Sequence, residues 1–133
     1  MANPRRYVPV VGIVACLLVL AGLAVPFVLA SGSEVSLYYD SGALNPLIAG
    51  LFVVVAIVVF AAAREGRTDP ALGAGVALTF GVFTVMVVLA WSLTVRVDVL
   101  NSAIAASHPT ALAVLSLLVP LTAAWYAHAL RIF

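Results

Sequence analysis

The sequence predicts an all-α integral membrane protein, an antiparallel four-helix bundle with both termini in the cytoplasm. Three observations predict it. Hydrophobic residues make up 65% of the 133 residues and charged residues only 8%, against roughly a quarter charged in a typical soluble domain. Four apolar segments are each long enough to cross a bilayer. The arginines fall almost entirely on one side of those segments. A soluble fold of this size has too little interior to hide so much apolar surface, and the mean hydropathy is +1.26. The chain is long enough for one domain, residues 1–133.

A membrane-crossing helix needs about 20 mostly apolar residues. The first such segment runs from about Tyr7 to Ala30, the second from about Pro46 to Ala63, the third from about Ala71 to Thr94, and the fourth from about Pro109 to Leu130. The third span can extend as far as Leu100, through the alternating stretch that holds Arg96 and Asp98. None of the cores contains Asp, Glu, Lys or Arg. All four are apolar all round, unlike the alternating strands of a membrane β-barrel.

Arg5-Arg6 before an apolar run resembles a signal peptide or a twin-arginine leader. The run is too long for a signal core, and Pro9 interrupts the twin-arginine pattern, so we expect an uncleaved anchor. Ile13-Val14-Ala15-Cys16 loosely resembles a lipobox, but apolar sequence continues where a lipoprotein tether would be polar. Ser31 to Asn45 reads as a polar loop. Within it Glu34-Val35-Ser36-Leu37-Tyr38 alternates, as does Val95-Arg96-Val97-Asp98-Val99, which suggests short strands that could pair. Asn45-Pro46 and His108-Pro109 open the second and fourth spans. Arg64-Glu65-Gly66-Arg67-Thr68-Asp69-Pro70 is a charged turn, with Asp69 as cap and Pro70 at the first helical position.

Orientation follows from the arginines. Arg5, Arg6, Arg64, Arg67 and Arg131 share one side, which Glu65 and Asp69 reduce to a net +3. Glu34, Asp40, Arg96 and Asp98 give the other side −2. The side with both termini is therefore expected in the cytoplasm, in the plasma membrane.

Apolar burial cannot drive helix association in lipid, so small residues mark the packing faces. Gly12, Ala15 and Gly22 align on the first span, with Pro26 close by. Gly73, Ala77, Gly81 and Thr84 align on the third. Ala113, Ser116, Pro120, Ala123 and Ala127 share a face of the fourth. The second span shows no clear stripe. Phe27, Phe52, Phe60 and Phe83 are expected to face lipid or fill gaps. Pro26 and Pro120 should kink their helices or release a carbonyl. Tyr7, Trp91, Trp125 and Tyr126 sit where an interfacial aromatic belt would.

Chemistry is sparse. No ionisable acid or strong base lies at mid-membrane, which argues against proton-coupled transport. His108 and His128 open and close one helix, about 30 Å apart at a helical rise of about 1.5 Å, so they cannot share a metal or haem. Cys16 stands alone, with no partner for a disulfide or ligand motif. Thr79, Thr84, Ser92, Ser116 and Thr122 have no base at helical spacing to activate them. No cofactor and no enzymatic activity are expected. A net charge of +1 leaves no nucleic-acid footprint. An external interaction surface is expected from Glu34, Tyr38, Tyr39, Asp40, Arg96 and Asp98. The expected partners are the lipid bilayer and a second copy or another membrane protein. A structural or accessory role leads; a small channel or transporter for a passive or non-proton-coupled solute is the alternative.

Three stretches carry a resemblance: Asn45-Pro46-Leu47-Ile48-Ala49-Gly50-Leu51-Phe52, the charged turn from Arg64 to Pro70, and Val119-Pro120-Leu121-Thr122-Ala123-Ala124-Trp125-Tyr126-Ala127. Together they resemble small four-span membrane proteins of unknown function from halophilic archaea. All six basic residues are Arg, which fits such a source. The resemblance implies the four-span architecture and no particular activity.

Overall fold

The computed structural model describes residues 3–29, 32–95 and 107–131, and these form five helices. They are α1 (Pro4–Leu29), α2 (Gly32–Asp40), α3 (Leu47–Arg64), α4 (Pro70–Ser92) and α5 (His108–Ala129). All but α2 are long and apolar enough to cross a membrane. Their bounds lie within a few residues of the four apolar segments. Arg96 and Asp98, and with them most of the second alternating stretch, lie outside the described residues.

Helix ends follow local chemistry. The Asp69 carboxylate accepts from the Ala71 N–H at 3.3 Å, and Pro70 begins α4, where its missing N–H costs nothing. Asn45 accepts from Leu47 N–H at 2.9 Å and donates to Asp40 at 2.8 Å, which ties the start of α3 to the end of α2. Gly66 takes a positive φ of 75° just beyond α3, a conformation glycine adopts without steric cost.

The segment expected as a polar loop with a strand at 34–38 is instead the helix α2. Val35, Tyr38 and Tyr39 are fully buried along it. Their i, i+3, i+4 spacing makes one helical face, and that spacing outweighs the alternation of Val35 and Leu37. Glu34 sits in the first turn, where a carboxylate favours the helix dipole.

The long helices pack in a ring: α1 against α3 and α5, and α4 against the same two. Touching neighbours run in opposite directions. Tyr7 at the start of α1 meets Trp125 near the end of α5, with ring centroids 5.7 Å apart. Gly12 near the start of α1 lies against Phe60 near the end of α3. Gly73 at the start of α4 faces Ala63 at the end of α3.

The second span does carry a packing face. Ala49, Val53, Ala56, Phe60 and Ala63 are all buried, at alternating spacings of four and three. A small-residue search misses this stripe because Val53 and Phe60 interrupt it. Phe60 is fully buried, filling the hollow that Gly12 leaves: a Cβ on Gly12 would stand 2.6 Å from its ring. Phe27 and Phe83 are about half exposed, at 50% and 44%. Gly73, Ala77, Gly81, Ala123 and Ala127 are buried, and Gly22 is half-buried against Leu112. A Cβ on Gly81 would lie 2.8 Å from the Pro120 nitrogen, so α4 and α5 meet there backbone to backbone. Of the expected aromatic belt, Tyr7 and Trp125 are partly exposed, whereas Trp91 and Tyr126 are buried.

Candidate functional site: an aromatic and histidine cap at one end

The polar chemistry gathers at the end of the molecule that holds α2. Pro26 initiates it. Proline has no N–H, so the carbonyl four residues earlier on α1, that of Gly22, loses its helical donor. A carbonyl left unpaired inside a membrane protein is costly. His108, the first residue of α5, supplies the donor: its Nε2 lies 2.7 Å from Gly22 O. A carbonyl can only accept, so Nε2 carries the hydrogen, and Nδ1 of the neutral ring must accept. Its donor is the Tyr38 hydroxyl, 2.9 Å away. The next carbonyl of α1, Leu23 O, accepts from the Tyr39 hydroxyl. The two tyrosines of α2 and the first residue of α5 are thereby bonded, directly or through the imidazole, to the turn of α1 that Pro26 opens.

Trp91, near the end of α4, completes the cluster. Its ring meets Tyr38 edge-on at 5.2 Å, Tyr39 at 5.4 Å and His108 at 5.8 Å. Such tilted and edge-to-face pairs suit the ring quadrupoles. Tyr38, Tyr39 and Trp91 are fully buried and His108 is 6% exposed. The Trp91 indole N–H is the one buried polar side-chain atom without a partner among the described residues. Burial pushes the Tyr38 phenol well above its usual range. It does the same for Tyr39, and neighbouring Tyr38 adds to the effect. Both hydroxyls therefore remain neutral donors across the physiological range. Outside the cluster, Gly42 lets the chain pass close to Trp91, and the Ala43 N–H donates to Thr94 Oγ1 at 2.7 Å.

Tyr38 and Tyr39, expected on an external surface, thus face the interior. Glu34 and Asp40 are exposed on the same short helix. His108, Trp91 and the tyrosines lie far apart in the sequence, and no local spacing joins them. The usable signal was Pro26 itself, whose released carbonyl needs a donor from elsewhere in the chain.

At the opposite end Arg64 Nε donates to the Arg6 carbonyl at 3.0 Å, and its Nη1 pairs with Glu65 at 2.9 Å. The chain start, the turn between α3 and α4, and the end of α5 meet at this arginine-bearing end.

A family model described as a family of unknown function, DUF7548, matches residues 1–131. The chain belongs to the DUF7548 family. No curated protein and no solved structure matches it. The DUF7548 match covers every residue of the cap and of the four long helices, so the cap belongs to the region that the family describes. Both imidazole nitrogens of His108 are already engaged within the chain, which suits a clamp better than a ligand or a general base.

Proposed function

We propose that this protein is a multi-pass plasma-membrane protein with a structural or accessory role. In this reading it is an antiparallel four-helix bundle with both termini in the cytoplasm. It acts without catalysis, as a subunit of a membrane complex or as a small homo-oligomer. The observation that carries the reading is a filled interior. Val19, Val53, Ala56, Phe60, Ala77, Thr84, Val88, Val119 and Ala123 are all fully buried, and they come from all four long helices. The charge asymmetry of the two ends supports the orientation. The lysine-free composition and the three quoted stretches support a source among halophilic archaea.

The alternative, a passive channel or transporter, drew its motive from Pro26, Pro120 and the glycines of the third span. Contacts within the chain engage the carbonyl released by Pro26, Gly73 and Gly81, whereas Gly75 faces open space. The Pro26-released carbonyl is bonded to His108, and Gly81 seats α4 on Pro120. Chemical cross-linking in native membranes, followed by sizing in mild detergent, tests the accessory role. Reproducible cross-linked species above monomer mass are expected. A lone monomer in both measurements would overturn the reading.

A further inference from the structure

Where α1 begins and α3 ends, the surface opens into a cleft of about 400 Å³ lined by Asn3, Arg6, Tyr7, Val10, Val11 and Arg64. Its chemistry is divided by depth. Arg6 lies in the first turn of α1 and Arg64 is the last residue of α3, so both stand where the apolar helices end. Val10 and Val11 lie a turn further along α1 and are 41% and 38% exposed.

The arginines are prepared for an anion. Arg64 is held by its bonds to the Arg6 carbonyl and to Glu65. A guanidinium has five N–H donors, so most remain available after those two. The Arg6 guanidinium makes no hydrogen bond or ion pair among the described residues. Among the described lining residues and their ion-pair partners, two guanidinium groups stand against one carboxylate, that of Glu65, an excess of one positive charge. A phosphodiester supplies one negative charge and two acceptor oxygens, and arginine matches that geometry well. A soluble phosphate would use the arginines and leave Val10 and Val11 uncovered. A phospholipid covers both, with its phosphate at the helix ends and a chain along the valines.

We propose that this cleft binds an anionic phospholipid, with the phosphate held by Arg6 and Arg64 and an acyl chain laid along Val10 and Val11. The proposal rests only on the membrane-spanning part of the reading above. It is independent of orientation and of the accessory role.

Native mass spectrometry of the purified chain in micelles, with phosphatidylglycerol and phosphatidylcholine at equal concentration, tests it. The unaltered chain is expected to retain phosphatidylglycerol about tenfold more than phosphatidylcholine: both offer the phosphodiester, but choline brings a second cation beside the positively charged cleft, a repulsion worth about one charged contact. Arg6→Gln should bring the ratio to within about twofold of unity, because the remaining Arg64–Glu65 pair carries no net charge to repel the choline ammonium. It keeps the backbone carbonyl that anchors Arg64, so folding should be retained. Arg5→Gln makes the same charge change one residue away, outside the cleft, and should leave the preference intact. Added inorganic phosphate should not displace the lipid. Equal retention of the two lipids by the unaltered chain would overturn the proposal. So would equal losses in the two variants, which is the signature of diffuse electrostatics, or displacement by inorganic phosphate, which points to a soluble anion. None of these outcomes bears on cross-linking, so the two readings fail separately.

Discussion

Pro26 and His108 are 82 positions apart in the chain, yet one explains the other. The proline withdraws the donor for Gly22 O, and the histidine replaces it. The relation has a measurable sign. His108→Ala leaves that carbonyl and the Tyr38 hydroxyl unpaired in a buried place, at a cost of about 1–3 kcal/mol. Pro26→Ala restores an N–H to α1. In that background His108→Ala should therefore cost less, by about 1 kcal/mol of coupling. Thermal unfolding of the four chains in one detergent gives the cycle. Additive effects would mean that the histidine does not serve the carbonyl that the proline releases.

Between helices, contact is decided by what is missing from a side chain. Gly81 lies against the Pro120 backbone, whereas Gly75 on the same helix has nothing within 4 Å of where a Cβ would stand. Gly81→Ala should destabilise by about 1–3 kcal/mol, because neither backbone can yield cheaply. Gly75→Ala should be neutral or stabilising by up to about 1 kcal/mol, since alanine is the better helix former. Unfolding in detergent compares them directly. The four long helices were legible because length and unbroken hydropathy leave few alternatives. Stripes of small residues on the first, third and fourth spans could be picked out from spacing alone. The face of α3 could not, because its largest member, Phe60, fits only against a glycine on another helix. α2 was hidden for a related reason: two competing periods share its nine residues. Burial of Tyr38 and Tyr39 decides between them, and it depends on helices far away in sequence.

At the scale of the whole molecule, the two ends differ in kind. One carries arginines and an open cleft; the other is closed by α2 over a neutral aromatic cluster. The central claim is that these ends lie on opposite sides of a membrane, with the arginines inside. Cysteine labelling tests it most directly. Cys16 is buried and can be replaced by Ala to clear the background. A single cysteine is then placed at Ser36, exposed on α2, or at Thr68, in the turn between α3 and α4. A membrane-impermeant maleimide applied to intact cells should modify Ser36→Cys at once and Thr68→Cys only after permeabilisation. The reverse pattern would contradict the orientation, and labelling of both sites in intact, sealed cells would contradict the four-span account itself.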